Sequence, residues 1–319
     1  MEQVSHCCVA EELTSLKGSD FLTCSDLTSE QIAAILHLSI QLKKGERKID
    51  LGGRVLGLIF TKASTRTRVS FQVAMARLGG QTIDLNSQAT QIGRGEPIKD
   101  TARVLSRYCD ALAIRTFGHK EIIDYADWAS IPVINALTDL EHPCQVLADF
   151  LTIYEHFGTF EDLNISYIGD GNNVANSLMI CGALLGNNVR IASPRGFEPL
   201  PSVIKKANSL LKPGRTIDVF NDPLDLIGDS HVLYTDVWAS MGQEKEQAQR
   251  KDSFKGFCID EELVSKAREN TIVLHCLPAH RGEEISEEVI EGKSSKVFDQ
   301  AENRLHAQQA LLAALLGGL

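Results

Sequence analysis

Long apolar runs, paired cysteines and an excess of positive charge are all lacking in this 319-residue chain. No apolar run approaches the roughly 20 residues of a transmembrane helix. The longest candidate, residues 307–319, is short. The eight cysteines are scattered and none forms a C-x-x-C pair. They read as reduced thiols of a cytoplasmic protein, not as a disulfide framework or a zinc site. Lys and Arg number 32 against 42 Asp and Glu, a formal net charge of −10. Nonspecific nucleic-acid binding needs a cationic surface and is disfavoured. A local basic pocket for a small anion is still compatible with that charge. There is no internal repeat and no low-complexity segment. The opening MEQVSHCCVAEELTS lacks a basic stretch before an apolar core, so it reads as a mobile tail and not as a secretory signal.

What is present is ordinary globular composition, 43% hydrophobic and 23% charged. The length suits two domains at roughly 100–200 residues each. Ser25 is expected to cap a helix running to about Lys44, with Glu30 and Gln31 in its early turns. RVLGLIF (54–60) reads as a strand, about 65–78 as a helix ending at Gly79-Gly80, and QTIDLN (81–86) as a strand. Strand, helix, strand in some thirty residues is a βαβ unit and implies a parallel sheet. The alternation continues through strands 110–117 and 132–137 and a helix over 145–157 whose apolar positions recur every three or four residues. A second series follows, with strands at 164–170, 189–194, 216–220, 231–237 and 271–277 and a last helix from about 301 to 316. The fold class is therefore α/β: two open parallel α/β domains, 1–148 and 149–300, with the segment 301–319 returning to the first. The cleft between them is the expected active site, because such sheets bind ligands at the carboxyl ends of their strands.

Five short motifs sit at those strand ends or at a helix start. Ser64-Thr65-Arg66-Thr67-Arg68 follows strand 54–60 and opens a helix. Backbone N–H groups at a helix N-terminus bind anions, and hydroxyls with a guanidinium add the donors a phosphate needs. His142-Pro143-Cys144-Gln145 opens the next helix with a stiff proline. Asp236, followed by Ser240-Met241-Gly242, offers an acid for an amine and a loop able to close. His275-Cys276-Leu277-Pro278 and Glu302-Asn303-Arg304-Leu305-His306 complete the set. Taken singly, each also suits a plain structural role: a capped helix, a polar loop, a buried thiol. Gly169-Asp170-Gly171-Asn172-Asn173-Val174 invites a dinucleotide reading, but Val174 stands at the third glycine and no acid ends the next strand.

Together and in this order, the motifs resemble those of the aspartate/ornithine carbamoyltransferase family, from about Leu16 to Leu316. The S-M-G loop and H-C-L-P mark its ornithine-using branch; the aspartate branch carries a different loop and H-P-L-P. The resemblance implies that carbamoyl phosphate is held by Ser64, Thr65, Arg66, Thr67, Gln91, Arg115, His142, Gln145 and Arg304. It implies that L-ornithine is held by Asn173, Asp236, Ser240, Met241, Cys276 and Leu277. Arg66, Arg115, His142 and Cys276 are the implied catalytic residues, Cys276 as an orienting group and not a covalent nucleophile. Gln72 and Ala136 depart from the family pattern, at positions that hold no ligand. The implied reaction is carbamoyl transfer to the δ-amine of ornithine, giving citrulline and phosphate, without metal or cofactor, in a cytoplasmic homotrimer. Cations and N–H dipoles suffice to stabilise the charge of a departing phosphate. Transfer to putrescine or an acylated ornithine is the alternative. A silent regulatory module has no need of the complete residue set, and Val174 disfavours a dehydrogenase.

Overall fold

The computed structural model describes residues 6–61, 64–86, 95–239 and 247–319. Its contacts divide the chain into two compact units: Met1–Leu151 with Asn303–Leu319, and Thr152–Glu302.

The first unit runs α1 (His6–Ser15), α2 (Ser29–Lys43), β1 (Val55–Phe60), α3 (Arg66–Arg77), β2 (Gln81–Asn86), α4 (Ile98–Leu105), β3 (Ala111–Arg115), α5 (His119–Trp128), β4 (Val133–Leu137) and the start of α6 (Pro143–Phe157). Its four strands are all parallel, in the order β2-β1-β3-β4. β1 is buried over all but its first residue. It reads as an unbroken apolar run because helices cover both faces of a parallel sheet. The outer strand β2 is largely exposed. Leu112, Ile114, Ile122, Tyr125 and Val133 form a core between β3, β4 and α5.

Two expectations fail here. Residues 6–15 are helical, not a tail, and Leu13 and Leu16 are buried at that helix's end. Burying two leucines outweighs a weak sequence pattern. Thr28, not Ser25, caps α2: its hydroxyl accepts from Gln31 N–H while the Gln31 amide returns to Thr28 N–H. Ser25 falls in a separate 3-10 turn, Cys24–Asp26. Both positions offered a cap hydroxyl, but only Thr28 has a Gln three residues on.

The second unit takes the rest of α6, then β5 (Asn164–Ile168), α7 (Asn173–Leu184), β6 (Asn188–Ala192), α8 (Pro201–Asn208), β7 (Ile217–Phe220), β8 (Val232–Thr235), α9 (Gln247–Ser253), α10 (Glu261–Ser265), β9 (Ile272–His275), α11 (Glu287–Ile290) and the start of α12 (Val297–Leu316). Its sheet is also all parallel, ordered β7-β6-β5-β8-β9. The strand order reverses direction between β1 and β3 in the first sheet and between β5 and β8 in the second. These are the topological switch points where α/β sheets take ligands. Among the described residues, no helix is long and apolar enough to cross a membrane.

Candidate functional site

At the first switch point, α3 follows β1 and Arg115 ends β3, paired in register with Phe60. Thr65 stands at the N-cap of α3, yet its own side chain makes no cap hydrogen bond. A first turn not capped by its own hydroxyl has N–H groups able to take an external anionic acceptor. Thr67 is buried, and its Oγ1 accepts from the Arg304 guanidinium on α12. Arg115 Nη1 approaches the same oxygen at 3.5 Å. A hydroxyl has two acceptor lone pairs and one proton. With guanidiniums facing the oxygen's lone pairs, the hydroxyl's role toward a further partner is that of a donor. Arg66 is half-buried and carries no ion pair among the described residues. Arg68 pairs instead with Asp84 of β2 and lies over the Phe60 ring, so it fastens α3 to the sheet.

His142 immediately precedes α6, and Cys144 and Gln145 lie in its first turn. Burial, then the charges of Arg304 and Arg115, hold the His142 imidazole well below the usual histidine range. It is a neutral ring at neutral pH, able to donate one N–H. Cys144 Sγ–H donates to the Asn135 carbonyl at 3.3 Å, and burial pushes its thiol up to about 12. It is a packing thiol. Gln145 is buried and donates through Nε2 to Asp149 at 2.8 Å, while its Oε1 has no hydrogen-bond partner among the described residues. A buried acceptor left open costs free energy unless a ligand donates to it.

At the second switch point, Asn172 caps α7 after β5, and Asp236 follows β8 directly. Asp236 is buried. Its Oδ1 accepts from Val237 N–H at 2.8 Å and from Cys276 Sγ–H at 3.0 Å, and its Oδ2 accepts from Asn172 Nδ2 at 2.8 Å. Asn173 is the first residue of α7, half-exposed. Cys276 and Leu277 follow β9, and Leu277 adopts a left-handed backbone, φ 58°. His275 supports that turn. Its Nδ1 accepts Leu277 N–H at 2.8 Å, and its Nε2–H donates to buried Glu284 at 3.0 Å. Asp236, His275 and Cys276 bring three metal-type donor atoms within 4.8 Å of one another. Both His275 nitrogens are already engaged, so this trio does not fit a metal ion.

Gly171 has a packing reason: a Cβ there would lie 2.2 Å from Pro199 N. Val174 is buried in α7. The glycine admits the chain's own backbone, which removes the remaining reason for a dinucleotide reading.

The structure thus gathers Thr67, Arg115, His142 and Arg304 in the first unit, with Ser64, Thr65 and Arg66 beside Thr67 in the chain. In the second unit Asp236 and Cys276 are in direct contact. Gln91, Ser240 and Met241 lie outside the described residues. Asp149 and Glu284 were not named from the sequence, and Asn172 and His275 stood in motifs there without a role; the contacts with Gln145, Asp236, Leu277 and Glu284 supply those roles. Asn172 left a signal as an asparagine just before a helix, and His275 as the first residue of H-C-L-P.

The carbamoyl-P binding domain model of the aspartate/ornithine carbamoyltransferase family matches residues 19–155, and its Asp/Orn binding domain model matches residues 161–315. A protein of Prochlorococcus marinus, named ornithine carbamoyltransferase, is 69% identical over 311 residues, 98% of each chain. The solved ornithine carbamoyltransferase of Pyrococcus furiosus is 50% identical with a TM-score of 0.91, over 95% of this chain and 99% of that one. That of Gloeobacter violaceus is 51% identical with a TM-score of 0.87, over 94% and 99%. With both family models matching end to end across two parallel α/β units, this chain belongs to the aspartate/ornithine carbamoyltransferase family.

Proposed function

We propose that the chain is an ornithine carbamoyltransferase, moving the carbamoyl group of carbamoyl phosphate to the δ-amine of L-ornithine and yielding L-citrulline and phosphate. The observation that carries this reading is the meeting of Arg304 and Arg115 at Thr67 beside a neutral His142. Carbamoyl phosphate is a small dianion with a carbonyl and an amide-like NH₂, and each part finds a matching group. Ser64, Thr65, Arg66 and the first turn of α3 take the phosphate. The Thr67 hydroxyl as a donor, Arg115 and a His142 N–H polarise the carbonyl oxygen. Gln145 Oε1, buried without a partner among the described residues, accepts from the NH₂. Arg304 holds Thr67 and adds charge.

Ornithine is assigned to the second unit. Asp236 takes its α-ammonium, with Asn173, Ser240, Met241 and Leu277 along the molecule. Cys276 orients Asp236 as a thiol donor. A free alkylamine has a pKa near about 10, so the δ-amine must lose a proton before it attacks. Nearby cations and partial desolvation lower that pKa. The nitrogen then bonds to the carbonyl carbon, the carbon–oxygen bond to phosphate breaks, and the amine releases a second proton.

The domain assignment, carbamoyl phosphate to 1–148 and ornithine to 149–300, follows the order of the two family models. A homotrimer in the cytoplasm, with Gln91 reaching carbamoyl phosphate from a neighbouring subunit or from the adjacent loop, completes the proposal. The six cysteines whose side chains are described are all free thiols, as suits a reducing compartment. The test is citrulline formation by the purified protein from carbamoyl phosphate and ornithine, in competition with putrescine and acetylornithine. Preference for either competitor overturns the reading. Light scattering at three times the chain mass supports the trimer, and any other mass refutes it.

A further inference from the structure

Asn172 does two jobs with one amide. Its Oδ1 accepts from Val174 N–H at 2.9 Å and Ala175 N–H at 3.2 Å, capping α7. The Tyr167 phenol donates to the same oxygen at 3.3 Å; burial, with the charge of Asp236 next in weight, holds that phenol well above the usual tyrosine range, so it stays protonated. Three donors on one side fix which end of the amide is oxygen. Nδ2 must therefore face Asp236, where it donates to Oδ2 at 2.8 Å, across 64 residues of sequence. Ser or Asp would cap as well as Asn, but neither brings an N–H to that place.

The consequence falls on Asp236. A carboxylate has about four acceptor positions. Among the described residues, Val237 N–H and the Cys276 thiol fill the two on Oδ1, and Asn172 fills one on Oδ2. We propose that Asn172 is a positioning residue for substrate selection: it aims the Asp236 carboxylate so that a single Oδ2 position is left open, and that position receives the α-ammonium of the incoming amino acid. This rests on the ornithine reading of Asp236 given above. The cap alone would explain an asparagine here but not the bond to Asp236. That bond joins the strand ends on either side of the switch point between β5 and β8.

The experiment uses Asn172→Ser, which keeps a cap oxygen and removes the donor. With carbamoyl phosphate saturating, inhibition constants are measured for 2-aminopentanoate, which has only the α-amine, and for 5-aminopentanoate, which has only the δ-amine. The expected result is a loss of about tenfold or more for 2-aminopentanoate, the size of one hydrogen bond to a charged group. The constant for 5-aminopentanoate stays within about twofold of the parent, because its chemistry does not use the contact. Equal weakening of both inhibitors, or no change in either, overturns the proposal and leaves Asn172 a helix cap. Selective weakening of 5-aminopentanoate overturns it too, by giving the contact to the δ-amine. Asp236→Asn in the same assay separates the two levels. If it spares 2-aminopentanoate, the ornithine reading of Asp236 fails. If it weakens 2-aminopentanoate while Asn172→Ser does not, the positioning role alone fails.

Discussion

Arg304 and Thr67 are 237 residues apart in the chain, and the buried guanidinium of one donates to the buried hydroxyl of the other. The contact fixes the last helix against the start of α3 within the first unit. It also uses an acceptor lone pair of Thr67, so that the hydroxyl can serve a ligand as a donor. Thr67→Val keeps the shape and removes the oxygen. The expected cost is about 1–3 kcal/mol of stability, because a buried guanidinium loses its acceptor. The KM for carbamoyl phosphate should rise about tenfold or more, with ornithine affected far less. Thr67→Ser should restore both. Urea unfolding and steady-state kinetics check this; an unchanged KM in Thr67→Val removes Thr67 from the carbamoyl phosphate site.

The two arginines of Ser64-Thr65-Arg66-Thr67-Arg68 look alike in sequence and separate in the structure. Arg68 is committed to Asp84, and Arg66 has no ion pair among the described residues. Arg66→Ala should fold normally and lose carbamoyl phosphate affinity by a contact worth about 1.5–3 kcal/mol. Arg68→Ala should cost at most about 1 kcal/mol of stability, as partly exposed ion pairs do, with a much smaller effect on affinity. Calorimetric titration and thermal unfolding of the two variants distinguish them. Reversed effects would place the phosphate on the wrong arginine.

These comparisons show where the sequence was legible. The buried strands of both sheets were readable because parallel strands buried on two faces are plain apolar runs, as in residues 55–60 and 272–275. Helix starts were readable to a residue or so where a motif marked them, as at Arg66 and Asn173. The α1 helix was not, since its burial comes from packing and not from a strong periodic face. The short helices α9, α10 and α11 were missed because one or two turns show no period. The site residues stood out as motifs, but which residues would touch one another did not. Nothing in residues 64–68 points to Arg304, and nothing in the segment around Asp236 points to Asn172. Such pairs are set by topology, which brings distant strand ends together.

Asp236→Asn is a harsher change than its size suggests. Three donors converge on this carboxylate, and an amide offers one acceptor oxygen and an NH₂. With the oxygen kept for Val237 and Cys276, the new NH₂ faces the Asn172 NH₂. The variant should lose about 1–3 kcal/mol of stability, in addition to most ornithine turnover. The reciprocal pair Asn172→Asp with Asp236→Asn re-forms the bond in the opposite direction while keeping a cap oxygen. It should recover the stability and not the turnover, because the charge now sits at position 172. Recovery of turnover in the pair would show that charge at position 236 is dispensable.

His142 gives a pH signature of the arginine cluster. Burial, then Arg304, then Arg115 depress its pKa well below 6.5. The unfolded chain therefore takes up a proton near pH 6.5 that the folded protein refuses. Stability contributed by the neutral imidazole is complete above that pH. As pH falls through 6.5 it is lost, and the loss continues down to the folded-state pKa. His142→Gln keeps a side-chain donor and removes the titration. The stability difference between parent and variant should be constant above about pH 7 and shrink below 6.5 by up to about 1.4 kcal/mol per pH unit, the slope of one proton. Other histidines with lowered pKa values, such as His119 and His231, cancel in that difference because both proteins contain them. Urea unfolding across this range measures it. A difference that stays flat to about pH 5 would mean that His142 protonates alike in both states. The neutral N–H donor assigned to it beside Arg115 and Arg304 would then have to be withdrawn.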